Sequence, residues 1–226
     1  MDAAASPQLA SWPGRYTDAG LFLALEGGEG TGKSTQSRLL ADALRTRGLE
    51  VVLTREPGDT LVGGRVRSIL LEPETGDMSP RTEALLYAAD KAEHVDALVD
   101  PALARGAVVI TDRYVDSTLA YQGAGRVLRA EEVAAVARWA TRDLRPHLTV
   151  VLDLDPATAF ARFSGRDRIE AAGDEFHARV RQGFLDLAAA DADRYLVLDA
   201  AGDPEAITER ILARLEPMLG RLSGAA

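Results

Sequence analysis

An α/β fold with a five-stranded parallel sheet flanked by helices is the class this sequence predicts, on three observations. Five short apolar runs recur along the 226 residues, and helix-patterned stretches separate them. Parallel strands need crossovers long enough to hold a helix, and these connections have that length. A glycine-rich segment also joins the first run to the first helical pattern, and neither an internal repeat nor an interdomain linker interrupts the chain. One domain is expected.

Residues 1–20 (MDAAASPQLASWPGRYTDAG) mix Ala, Ser, Pro and Gly without periodicity. A mobile extension is expected there, with docking of Trp12 and Tyr16 as the alternative. The domain itself is expected over 21–222. Leu21 to Leu25 form its first strand, and Leu39, Leu40, Ala43 and Leu44 recur at helical spacing up to a cap at Gly48. Glu50 to Thr54 is the second strand and ends in Arg55-Glu56-Pro57-Gly58. Helical patterns then cover Val62 to Leu71 and Arg81 to Ala104, the latter broken at Asp100-Pro101. Ala107 to Thr111 is the third strand, followed by Asp112-Arg113-Tyr114 and a helix over Glu131 to Leu144. Leu148 to Leu154 is the fourth strand, and Asp155-Pro156 opens a helix. A charged interruption over about 164–173 reads as a small lid. A helix over Glu175 to Ala190, a strand over Tyr195 to Leu198 and a helix over Pro204 to Leu219 complete the chain.

Composition narrows the function. Apolar residues at 46% and charged residues at 27% suit a soluble globular protein. A net charge of −9 offers no basic field, so nucleic acid is not an expected partner. The sequence contains no cysteine, and it carries neither a run of apolar residues as long as a membrane span nor a secretory layout. A cytoplasmic protein without membrane contact is expected.

Gly27-Gly28-Glu29-Gly30-Thr31-Gly32-Lys33-Ser34 matches G-x-x-x-x-G-K-[ST] directly after a strand. Glycines let successive N–H groups turn inward around a polyphosphate, and the next helix offers the same anion its positive end. The fold is thus expected to be of the P-loop NTPase type, with Lys33 reaching the β- and γ-phosphates and Ser34 holding Mg²⁺. Asp112, at the end of the third strand, stands where a carboxylate orients that Mg²⁺, or else caps the next segment. Arg55, Arg67 and Arg113 converge on the predicted ligand edge and suggest a second phosphate site, although each alone reads as a surface charge. Two facing phosphate sites describe a phosphoryl transferase between nucleotides. Arg166 and Arg168 suit a lid that brings charge to the phosphates, or a solvated loop.

Taken together and in order, Glu26 to Thr35, Thr54 to Gly58, Asp112-Arg113-Tyr114, Ala120-Tyr121-Gln122-Gly123 and Asp167-Arg168-Ile169-Glu170 resemble the bacterial thymidylate kinases (dTMP kinases), from about Leu21 to the last helix. The resemblance implies transfer of the γ-phosphoryl of ATP, with Mg²⁺, to dTMP, and a homodimer. Gly27 through Thr35 would hold ATP, and Lys33, Arg113, Arg166 and Arg168 would be catalytic. Arg55, Arg67 and Arg113 would hold the dTMP phosphate and its surroundings, Tyr87 would stack on thymine, and Thr118 and Gln122 would read its edge. Glu29 would lie near the 3′-hydroxyl, and Tyr121 would crowd the 2′ position. The loop contains no arginine, so the lid must supply the catalytic cation. Lys91 stands where the family usually has a base-bonding arginine, which puts that contact in doubt, and Asp59 replaces a frequent glycine. A kinase for another nucleoside monophosphate or a deoxynucleoside, and a regulator without turnover, are the competing readings. His94, His147 and His177 show no ligand spacing.

Overall fold

The computed structural model describes residues 14–126, 128–162 and 167–223. Its sheet contains five parallel strands in the order β2-β3-β1-β4-β5: β1 (Leu21–Glu26), β2 (Val51–Arg55), β3 (Val108–Asp112), β4 (Leu148–Asp153) and β5 (Tyr195–Asp199). All six residues of the central β1 are buried, because helices cover both faces of the sheet. Alternate β1 residues serve the two faces. Leu21, Leu23 and Leu25 pack with Leu40 and Leu44 of α1 (Lys33–Thr46) and with Ile207, Ile211 and Leu215 of the closing helix α9 (Pro204–Ser223). Phe22 and Ala24 pack on the other face with α6 (Ala130–Ala140) and α8 (Asp174–Ala190). The register sets Leu25 beside Asp112 and Asp112 beside Arg55, so the carboxyl ends of β1, β2 and β3 open on one edge. That edge positions the site.

Between the strands, α2 (Leu61–Leu71) is capped by Thr60, whose hydroxyl accepts the Gly63 N–H, and α3 (Pro80–His94) is capped in the same way by Ser79. The expected break at Asp100-Pro101 is absent. A π-helical turn, Val95–Val99, joins α3 to α4 (Asp100–Ala104), which carries Pro101 in its first turn. The helix expected over Glu131 to Leu144 stops at Ala140, because Arg142 and Asp143 adopt left-handed backbone and turn Leu144 back into the core. The helix after Asp155 is α7 (Pro156–Phe160), whose first amides bond the Asp155 carboxylate.

One element has no counterpart in the sequence reading: α5 (Val115–Thr118) runs into a π-helix, Leu119–Gly125. Its β-branched and glycine residues are weak helix formers, so packing rather than propensity sets its path. Gly183 of α8 makes room for it, since a Cβ there would lie 3.2 Å from the Ala124 Cβ. Residues 14–20, assigned on sequence to a mobile extension, contact the domain. Arg15 bridges to Leu144 and pairs with Asp100 at 3.0 Å, and Tyr16 lies 5.6 Å from the His147 ring. Trp12 lies outside the described residues.

Phe184 of α8 is buried and packs edge-on against Tyr121 at 6.1 Å. Phe184→Ala should lower unfolding free energy by about 3–5 kcal/mol in urea titration, as expected for a large aromatic removed from a packed core.

Candidate active site

The phosphate loop spans the turn from β1 to α1. Gly27 has φ 134°, and a Cβ there would lie 2.4 Å from the Leu152 carbonyl oxygen, so only glycine lets the loop pass β4. Gly32 at φ 91° leads into α1 with no side-chain cap, leaving first-turn amides for an anion. Lys33 is buried and folds back across the loop, donating to the carbonyls of Gly27 (3.2 Å) and Gly28 (2.6 Å). Burial first, then the nearby Arg113, pushes its ammonium pKa down. Thr31 Oγ1 donates to the Gly28 carbonyl, and Arg162, which the sequence reading passed over, donates to the Gly30 carbonyl at 3.2 Å. Ser34 and Thr35 are exposed in the first turn of α1. Ser34 Oγ donates to Asp112 Oδ2 at 2.7 Å, so a hydroxyl and a carboxylate oxygen meet at the sheet edge, a hard-oxygen set that fits Mg²⁺.

Across the loop, Arg113 follows β3 with φ 72°, a strained backbone for a residue with a side chain. Its guanidinium donates to the Gly27 carbonyl (2.9 Å), to Ser117 Oγ (3.1 Å) and to Glu29 Oε1 (2.7 Å). Tyr121 donates its hydroxyl to the same Glu29 oxygen at 2.9 Å, with the Arg113 guanidinium 5.0 Å from its ring. Burial alone would raise the Glu29 pKa, but Arg113, Lys33 and Tyr121 outweigh it and hold the carboxyl at about 2. Burial opposes the charge on Arg113, and Glu29 more than restores it.

A cavity opens beside this pair. Glu29, Arg67, Tyr87, Arg113, Thr118, Tyr121 and Gln122, all singled out on sequence, line it together with Pro57, Ser117 and the lid residues Asp167 and Ile169. Arg67 donates to the Pro57 carbonyl at 2.8 Å. Thr118 Oγ1 is buried and has no hydrogen-bond partner among the described residues, which leaves it for a ligand.

Three of the candidate residues make other contacts in this structure. Arg55 is not among the residues that line this cavity: its side chain is half-exposed and pairs with Asp59 at 3.1 Å. Lys91 is buried behind the cavity and donates to Glu56 at 2.6 Å, because a lone ammonium inside the domain requires a carboxylate more than a base edge. Arg168 is directed to the acceptor side, donating to the Leu70 carbonyl (2.7 Å) and to Glu83 (2.5 Å). Arg166 lies outside the described residues.

Two buried networks escaped sequence reading. Glu83 accepts from Gln122, Arg126 and Arg168, and although burial raises its pKa, these bonds hold it below the usual carboxylate range. Glu56 accepts from Lys91 and bonds His94 Nδ1 at 2.6 Å, while His94 Nε2 meets Thr54 Oγ1 at 2.7 Å. A signal was available: Glu83, Tyr87, Asp90, Lys91 and His94 recur at helical spacing on one face of α3.

Fold and site together define a P-loop phosphotransferase of the nucleoside monophosphate kinase class, in which a polyphosphate loop faces a second, arginine-floored cavity. The family model described as thymidylate kinase matches residues 25–211. A thymidylate kinase of Cutibacterium acnes is 55% identical over 89% of this chain and 99% of its own length, and one of Clavibacter sepedonicus is 53% identical over 88% and 96%. The crystal structure of the Ehrlichia chaffeensis thymidylate kinase superposes with a TM-score of 0.74 at 32% identity, covering 88% of this chain and 99% of that one. The chain belongs to the thymidylate kinase family.

Asp90 gives a pH prediction. Its Oδ1 accepts the Gly58 N–H, Oδ2 has no partner among the described residues, and burial and Glu56 raise its pKa to about 6 from 3.8. A carboxyl raised on folding holds its proton more tightly in the native state, so it costs stability as pH rises through that window. Asp90→Asn should therefore gain stability relative to the parent between pH 4 and about 6.5, read by urea unfolding at each pH.

Proposed function

We propose that the chain transfers the γ-phosphoryl of ATP to dTMP, yielding dTDP and ADP. The observation that carries the reading is the Glu29–Arg113 pair at 2.7 Å, where the donor loop and the floor of the acceptor cavity meet. A polyphosphate would draw Lys33 from the loop carbonyls to the β- and γ-oxygens. The dTMP phosphate would lie on Arg113 and Arg67, so that one of its oxygens attacks the γ-phosphorus in line while ADP leaves. Positioning and charge do this work; no strong base is needed. Ser34 and Asp112 would hold Mg²⁺, which when bound neutralises charge on the donor phosphates.

Tyr87 stacks on thymine, Thr118 uses its unpartnered hydroxyl on the base edge, and Gln122, its amide N–H committed to Glu83, offers its carbonyl oxygen. Tyr121, fixed by Glu29, fills the space a ribose 2′-hydroxyl would need. Lys91 positions Glu56 and the turn after β2. Arg168 anchors the lid on Glu83, which leaves Arg166 to carry charge to the transferring phosphoryl. We also assign the chain to the cytoplasm, where ATP and a cysteine-free sequence agree, and to a homodimer. The dimer is supported by exposed Leu61 and Ile69 on α2 and by exposed Leu85 on α3, which lines an apolar groove with Leu128, Val133 and Val136.

A coupled assay across dTMP, dUMP, UMP, CMP, AMP and GMP should give dTMP the highest kcat/KM. A better acceptor among the others would refute the assignment, and ATP binding without ADP formation on any acceptor would favour the regulator. Tyr87→Ala should raise KM for dTMP on the order of tenfold, since base stacking is worth about 1–3 kcal/mol. Arg166→Ala should lower kcat by roughly a hundredfold or more, whereas Arg168→Ala should act chiefly on KM for dTMP. The reverse pattern would reassign the two arginines. Sedimentation velocity should show a dimer that Leu61→Asp with Leu85→Asp converts to monomer.

A further inference from the structure

Glu26 closes β1 one residue before the phosphate loop and is wholly buried. Nothing in the reaction described above uses it. Its Oε1 accepts the backbone N–H groups of Tyr114 (2.8 Å) and Ser117 (3.1 Å), and Ser117 Oγ donates to its Oε2 at 2.6 Å. Tyr114, the residue that precedes α5, makes no side-chain cap bond of its own, so a carboxylate from β1 takes that place.

The bonds continue to Arg113. With its proton directed at Glu26, the Ser117 hydroxyl turns a lone pair to the Arg113 guanidinium, which donates to it at 3.1 Å. The left-handed backbone of Arg113 is held from both sides, its own N–H on the Leu25 carbonyl (2.9 Å) and the next N–H on Glu26. One carboxylate thus ties the end of β1 to the backbone and to the side chain of the residue at the acceptor cavity.

We propose that Glu26 is a positioning residue for phosphoryl transfer: through Ser117 and the α5 amides it holds the Arg113 guanidinium against the acceptor phosphate, in register with the phosphate loop. The inference rests on the assignment of Arg113 to that phosphate. Glu26 itself touches no nucleotide in this arrangement.

The surroundings make the device sensitive to protons. Asp116 of α5 and Tyr195 of β5 face Glu26, and Arg113 and Lys33 approach it from β3 and α1. Burial, then Asp116, pushes its carboxyl up to about 7 against the pull of Ser117, Arg113 and the Tyr114 amide. Once protonated on Oε2, Glu26 becomes a donor to Ser117 and no longer takes the hydroxyl's proton.

Glu26→Gln keeps one acceptor oxygen for both amides and puts a permanent donor opposite Ser117. Measured at pH 8, kcat/KM for dTMP should fall about tenfold while KM for ATP stays near the parent's. By pH 6 the two enzymes should converge, which a merely structural defect would not produce. In an Arg113→Ala background the same change should have no further effect. If Arg113→Ala alone leaves kcat/KM for dTMP intact, the acceptor-site assignment fails. If Arg113→Ala is impaired but Glu26→Gln matches the parent at both pH values, or its loss persists without Arg113, the positioning role is overturned. Should Glu26→Gln not fold, Ser117→Ala leaves both amides bonded to Glu26 and removes only the hydroxyl. It should show the same selective loss for dTMP, and parental kinetics in Ser117→Ala would equally overturn the proposal.

Discussion

The ion pair between Glu29 and Arg113 is the contact on which the site's geometry depends. Both side chains are largely withdrawn from water, so either one alone would leave an uncompensated buried charge costing several kcal/mol. The pairing requires the phosphate loop and the end of β3 to be neighbours, and the sheet order supplies this by placing β3 directly beside β1. It also requires Arg113 to turn back toward the loop, which its left-handed backbone achieves at a cost in strain. A residue that carries both strain and a buried charge is held by the whole arrangement around it. That rigidity suits a reaction whose rate comes from holding two phosphates in line.

The second organising element is α3, whose inward face is polar where an ordinary helix would be apolar. Glu83 at one end reaches the lid and the π-helix after α5, Tyr87 in the middle faces the cavity, and Asp90, Lys91 and His94 at the other end hold the turn after β2. Gly63 of α2 lets the two helices approach, since a Cβ there would lie 2.5 Å from Asp90 Oδ1. Three walls of the acceptor cavity are therefore fixed by one helix. Glu83 and Lys91 along it are paired, as desolvation demands, while Asp90 keeps one oxygen bare among the described residues.

What was legible in the sequence was what is local. The five strands are continuous apolar runs because both faces of the sheet are covered, and the loop over Gly27 to Ser34 is a short motif whose chemistry follows from its residues. Tyr87, Thr118, Tyr121 and Gln122 came from resemblance, and they share the cavity. Partnerships across long separations were not legible: Glu56 gives no sign in sequence of choosing Lys91 and His94. The stretch from Val115 to Gly125 was missed for the opposite reason, since its weak propensity is overridden by packing against α8. Arg15 looked like part of a featureless terminus because its partners, Asp100 and Leu144, lie far along the chain.

Glu83 joins two candidate parts of the site through one carboxylate. Its two oxygens accept from Gln122, a candidate reader of the base edge, and from Arg168 of the lid, with Arg126 bonded to both. A single carboxylate thus orients the amide that would face the base and the guanidinium that fastens the lid. Without Arg168, the nearly fully buried carboxylate would be left with Arg126 and the amide alone. A base that stacks on Tyr87 and bonds the free carbonyl of Gln122 would hold that amide against Glu83, and with it the seat on which Arg168 closes. Coupling of this kind needs no long pathway, only two donors that share one acceptor.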